Sequence, residues 1–270
     1  MIIGNKNFDV AHHTYIMGIL NVTPDSFSDG GKWHDRDAAL KHAETMITEG
    51  ADLIDIGGES TRPGHVQITE QEEIERVLPI IEAVKSHFEI PVSIDTYKAS
   101  VAEAAIKAGA DLVNDIWGLQ YDSRMAEVIQ TAQVPCCLMH NRKKADYQHF
   151  ETDFISDLEQ IVARAKKAGI PDDKIILDPG VGFGKSYQNN LSAVANVGKI
   201  HQLGYPILLA TSRKGFIDKT LHVSVDDRLE GTLATTVIGV LNQCAFIRVH
   251  DVKENKRVIQ MTEAIMAQKI

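Results

Sequence analysis

Eight apolar runs of strand length recur along this chain, with amphipathic stretches between most of them. The runs are "YIMGIL", "DLIDI", "PVSI", "DLV", "PCCLM", "KIILD", "PILLA" and "AFIRV". Residues 37–49, 70–87 and 154–168 carry apolar positions at helical spacing. Strand alternating with helix implies a parallel sheet, because each crossover lays a helix on the sheet. Eight such units within 270 residues is the length of an α/β (β/α)8 TIM barrel, read here as one domain over residues 1–270. A weak internal repeat supports this. "EGADLIDIGG" resembles "AGADLVNDIWG" 59 residues later, and in each a glycine ends a helix before a short strand. A doubly wound sheet is the alternative, but no phosphate-binding glycine pattern follows the first run.

The ends of the runs carry the functional signal. Each exits into a polar group: Asn21, Asp55, Asp95, Asn114, His140, Asp178, Ser212 and His250. One polar residue after a strand ordinarily caps a turn. Eight of them, on a closed barrel, would converge on the C-terminal mouth, where such barrels build their active sites.

Three strand-end groups, Asp95, Asn114 and Asp178, suit a flat nitrogen heterocycle. A carboxylate accepts two parallel N–H bonds from an amino-pyrimidinone edge, and an amide both donates and accepts. A pterin or a guanine-like ring fits that set; helix capping is the plain alternative. "IRVHD" places Arg248 and His250 on the same side of a strand. An inward arginine needs an anion, and loops after strands seven and eight of such barrels commonly hold phosphate. "TSRKGF" sets Lys214 at a helix start, where the dipole disfavours a cation, so a ligand contact explains it better than solvation. "GGESTRPGH" presents Thr61 and Arg62 in a turn-rich loop. "DPGVGFGKS" is not a phosphate-binding P-loop, because Pro179 stands where that pattern needs glycine; it pairs Asp178 with a flat apolar surface, Phe183. Phe27 lies in the polar stretch "NVTPDSFSDGG", and a loop that folds over the mouth would give that ring a use.

A net charge of −9 argues against nucleic acid or an anionic membrane as partner. No apolar run reaches the ~18 residues needed to span a bilayer, and the N-terminus lacks a signal-peptide pattern. Cys136, Cys137 and Cys244 read as buried thiols rather than a disulfide framework. The expectation is a cytoplasmic protein.

Together and in this order, "MGILNVTPDSFSDGG", "GGESTRPG", "VSIDTYK", "DLVNDIWG", "DPGVGFGK", "LLATSRKGF" and "IRVHDV" resemble the dihydropteroate synthase family of pterin-binding enzymes. The resemblance runs from about residue 15 to about residue 252. It implies a TIM barrel that joins p-aminobenzoate to 6-hydroxymethyl-7,8-dihydropterin diphosphate, releasing diphosphate. It also implies that Asp95, Asn114, Asp178 and Lys214 hold the pterin, and that Thr61 and Arg62 reach it from the second loop. By the same resemblance, Asn21 binds Mg2+ accompanying the diphosphate, and Arg248, Val249 and His250 line the diphosphate side. Phe27, Phe183, Ser212 and Lys214 would border the p-aminobenzoate. Asp95, Asp178, Lys214 and Arg248 are the catalytic candidates. A homodimer, small-molecule partners and a p-aminobenzoate site of the kind sulfonamides target are implied as well. Competing readings are a methyltetrahydrofolate methyltransferase, which has little use for "TPDSFSDG" and "TSRKGF", a non-catalytic pterin binder, and a phosphate-handling barrel isomerase or aldolase.

Overall fold

The computed structural model describes residues 1–23, 31–60 and 66–268, the side chains of 31–35 excepted. Phe27, Thr61 and Arg62 lie outside the described residues. Eight parallel strands form the sheet: β1 Tyr15–Asn21, β2 Leu53–Gly57, β3 Val92–Asp95, β4 Leu112–Asp115, β5 Cys136–Met139, β6 Ile175–Asp178, β7 Leu208–Ala210 and β8 Phe246–Val249. Their spatial order is β6-β5-β4-β3-β2-β1-β8-β7. A parallel bridge between Leu177 and Ile207 joins the two edges and closes the barrel. The helices are α1 Gly31–Glu49, α2 Glu70–His87, α3 Ala99–Lys107, α4 Met125–Ala132, α5 Phe150–Lys167, α6 Tyr187–Ala195, α7 Gly215–Leu221, α8 Leu229–Leu241 and α9 Val252–Met266.

Each apolar run is a strand, as the sequence predicts. Helix α2 starts where expected because Thr69 and Glu72 form a capping box: each side chain accepts the other's backbone N–H. Helices α1 and α5 start earlier than their apolar periodicity announces.

The internal repeat is a structural joint used twice. Gly50 and Gly109 take φ of +105° and +110° after α1 and α3, a left-handed turn that glycine adopts without a Cβ penalty. Two residues on, Asp52 accepts the Ile16 N–H at 2.8 Å and Asp111 accepts the Val92 N–H at 2.9 Å. A lysine answers each carboxylate: Lys256 on Asp52 at 3.1 Å, Lys85 on Asp111 at 2.7 Å.

The barrel floor is apolar. Met17, Leu53, Leu112, Cys137, Ile176, Leu208 and Phe246 fill it, and Ile3 and Phe8 plug it from an N-terminal hairpin (Ile2–Ile3 with Lys6–Asn7). Cys136, Cys137 and Cys244 are buried free thiols, as expected. Among the described residues, no helix is long and apolar enough to cross a membrane.

Candidate active site

Side chains alternate along a strand, so two residues above each of these seven floor positions, and above the buried Ser93 on β3, the chain faces inward again. There the inward groups are Ile19, Asp55, Asp95, Asn114, Met139, Asp178, Ala210 and Arg248. Most of these open onto one cavity of about 1160 Å³, which Asn21, Phe183, Ser212, Lys214 and His250 also line. The sequence expectation of a single mouth holds for six of the eight strand ends.

It fails for Asp55 and His140. Strand β2 runs on to Gly57, so Asp55 is fully buried a layer deeper and does not line the cavity. His140 has the opposite parity to Met139 and faces helix α5, where its Nε2 pairs with Asp157 at 2.9 Å. The Val249 side chain likewise packs outward, between sheet and helices.

The deepest polar contact is a charge cluster. Arg248 donates from Nε to Asp55 at 2.6 Å and from Nη2 to Asp95 at 2.6 Å. The anion that an inward arginine needs is thus first supplied by the barrel itself. Burial works to discharge Arg248, but the two carboxylates outweigh it and raise its pKa. Burial pushes Asp95 up, with Arg248 opposing. Asn114 donates from Nδ2 to Asp55 at 3.1 Å. Because a carboxylate only accepts, that contact fixes the amide's orientation and turns Oδ1 into the acceptor for any ligand. Among the described residues, Asp55 Oδ1, Asp95 Oδ1 and Ser93 Oγ are buried without a hydrogen-bond partner.

Across the mouth, the loop after β6 arranges a second group. Asp178 accepts the Gly180 N–H at 2.6 Å through Oδ1. Burial raises its pKa, and Lys214 is the leading opposing charge. Lys214 donates to the Val181 carbonyl at 2.5 Å, with Nζ 4.9 Å from the centre of the Phe183 ring. Burial pushes Lys214 down to about 8. The lysine that the helix dipole disfavours is therefore held by a carbonyl, an aromatic face and Asp178. Ser212 and His250 form one unit: Oγ accepts the His250 backbone N–H at 3.2 Å and pairs with its Nδ1 at 2.9 Å.

Asn21 ends β1 beside Asp95. A Cβ at the intervening Gly57 would sit 3.6 Å from Asp95 Oδ2 and 3.8 Å from Asn21 Oδ1, so that glycine keeps the space between the two oxygens clear. No cluster of three His, Cys, Asp or Glu side chains suited to a metal occurs among the described residues. A single protein oxygen fits Mg2+, which keeps several waters and commonly shares its shell with substrate phosphates.

Two networks escaped the sequence reading. Lys98, buried, donates to Glu59 at 2.6 Å, Glu73 at 2.7 Å and the Ile68 carbonyl at 2.8 Å, while the Tyr97 hydroxyl donates to Glu59. Burial alone would raise the Glu59 pKa; Lys98 and Tyr97 hold it down. This network ties Glu59, after β2, to Ile68 and to Glu73 of helix α2. The other joins Lys185, His140, Asp157 and Arg142 behind the β6 loop. Both depend on contacts far apart in sequence, which no local pattern signals.

Residues 17–250 match the pterin-binding enzyme family. The dihydropteroate synthase of Clostridium beijerinckii is 58% identical over 98% of this chain and 99% of its own length. A crystal structure of dihydropteroate synthase from Clostridium difficile in the presence of pteroic acid superposes with a TM-score of 0.94 at 49% identity, covering 96% of this chain and 99% of that one. The Xanthomonas albilineans dihydropteroate synthase with 4-aminobenzoic acid gives 0.91 at 36% identity, over 95% and 94%. The chain belongs to the pterin-binding enzymes, among the dihydropteroate synthases.

Proposed function

We propose that this barrel condenses 6-hydroxymethyl-7,8-dihydropterin diphosphate with p-aminobenzoate to give 7,8-dihydropteroate and diphosphate. The observation that carries the reading is the acceptor set at the floor of one cavity. The Asp95 and Asp178 carboxylates and the Asn114 Oδ1 stand beside the cations Arg248 and Lys214. An aminopterin edge offers ring N–H and NH2 donors to such acceptors.

The chemistry follows from charge. The bond that breaks joins the pterin methylene to diphosphate. Arg248 makes no hydrogen bond from Nη1 among the described residues, and with His250 it faces the side where the anion leaves. Asn21 would hold Mg2+, which would supply neutralisation of the charge growing on the diphosphate. The methylene left behind is conjugated with an electron-rich ring, so departure ahead of attack gives a delocalised cation. Asp95 and Asp178, in a poorly solvated floor, stabilise it. The aromatic amine is neutral near pH 7 and needs orientation more than activation. Phe183 and the Lys214 stem would provide a wall for it and Ser212 a polar edge, and Phe27, outside the described residues, would add an aromatic contact. Thr61 and Arg62, outside the described residues, would add contacts to the pterin, as their motif in the family implies. A cytoplasmic homodimer completes the proposal.

The test is diphosphate release that requires both substrates together and is inhibited by a sulfonamide. Steady-state release that p-aminobenzoate does not accelerate, or none with both substrates, would refute it.

A further inference from the structure

Resting on that reading, we propose that Lys185 is the positioning residue of the amine subsite. It binds the Gly180 and Phe183 carbonyls and the His140 ring, and so fixes the loop that presents Phe183 and anchors Lys214. The loop's polar groups have a near-complete set of partners. Gly180 N–H goes to Asp178 at 2.6 Å, Gly182 N–H to Asn190 Oδ1 at 2.6 Å, and Phe183 N–H to the Gly180 carbonyl at 3.1 Å. Of the carbonyls, Val181 takes Lys214 and Gly184 takes the Tyr147 hydroxyl at 2.9 Å. Those of Gly180 and Phe183 take Lys185, at 2.8 and 3.1 Å.

An ammonium has three donors. The third from Lys185 goes to His140 Nδ1 at 2.8 Å. That contact requires a lone pair on Nδ1, so the proton sits on Nε2, which donates to Asp157. Asp157 in turn takes Arg142 at 2.6 and 3.1 Å. Lys185 is therefore fully satisfied by protein and anchored to a braced ring. It has no donor left for substrate.

Glycines make this arrangement possible. Gly180, Gly182 and Gly184 take φ of +64°, +91° and +54°. A Cβ at Gly180 would collide with the His140 carbonyl, and one at Gly184 with the Arg142 carbonyl. The loop thus lies directly on the backbone after β5. Two lysines grip it: Lys214 through the Val181 carbonyl, Lys185 through the Gly180 and Phe183 carbonyls. Asp95, Asn114 and Asp178, by contrast, stand on strands held by the sheet ladder.

That difference makes the role testable by steady-state kinetics of the full chain. Lys185→Met raises KM for p-aminobenzoate about tenfold or more, since small displacements of a positioning surface are costly. KM for the pterin diphosphate moves less than about threefold, because Asp95, Asn114 and Asp178 stand on the strands and only Asp178 and Lys214 touch the loop. In a Phe183→Ala background the same change adds less than about twofold, because Lys185 acts through that ring. Lys185→Gln, which keeps two donors on a shorter stem, is the second variant should the first not fold; it gives the same selectivity at about a third of the size. Parallel rises in both KM values, an unchanged KM for p-aminobenzoate, or multiplying losses in the double variant would overturn the proposal. Failure of the wild-type chain to release diphosphate with both substrates would instead overturn the reading it rests on.

Discussion

The lower and upper halves of the barrel interior are built on the same strands and differ by two residues. Phe246 and Arg248 show the contrast on β8 alone. Phe246 is fully buried in the apolar floor, 5.6 Å from the Phe8 ring. Arg248, one inward position higher, sits between two carboxylates. The same step turns Leu53 into Asp55, Leu112 into Asn114 and Ile176 into Asp178. The floor gains stability from burying apolar surface at roughly 1.5–3 kcal/mol per large side chain. The layer above holds charges away from water and depends on each being answered. One half stores the stability on which the other half draws.

The sharpest way to break this comparison is at its boundary. Arg248→Ala leaves Asp55 and Asp95 facing each other without a cation. It should cost about 3–5 kcal/mol of folding stability together with most of the activity. The sequence alone suggests a loss that falls far more on the diphosphate substrate than on pterin alone. The observed bond to Asp95 extends it to pterin affinity, which calorimetry with pterin and pterin diphosphate will separate. Phe246→Ala should also cost about 3–5 kcal/mol in denaturant unfolding, with both KM values unchanged. A shift of either KM as large as that of Arg248→Ala would erase the distinction between the halves.

A smaller effect sharpens the edge of the upper half. Burial holds His140 down to about 4 from 6.5, with Lys185, Asp157 and Arg142 around it. Between those values the unfolded chain binds a proton that the folded chain refuses. The stabilisation is therefore present above pH 6.5 and is lost as pH falls towards 4, by up to about 3 kcal/mol. Denaturant unfolding at several pH values should show this slope, and His140→Gln should remove its share.

What the sequence announces and what it hides follow from range. The eight strands are legible because each is a continuous apolar run, buried on both faces as parallel sheets require. Asp95, Asn114, Asp178 and Lys214 are legible because they stand where those runs stop. Asp55 misleads because its strand continues through Ile56 and Gly57, which drops the carboxylate one layer. His140 misleads by parity, since a polar residue after a strand faces in or out according to its neighbour. The Lys98 and Lys185 networks are illegible, since their partners lie as far as 45 residues away in sequence. The bond of Arg248 to Asp55 spans 193 residues, so the sequence gives the need for an anion but not its identity.

The central claim is that the inward polar layer, with Asp178 on its far wall, is where the pterin binds. Titration calorimetry of a pterin into Asp178→Asn tests it most directly. The amide keeps an acceptor for the Gly180 N–H but turns a donor toward ring N–H groups. The account predicts a loss of roughly 2–4 kcal/mol in pterin binding, with thermal stability unchanged or higher because burial already disfavours that charge. Near-wild-type pterin affinity would contradict it.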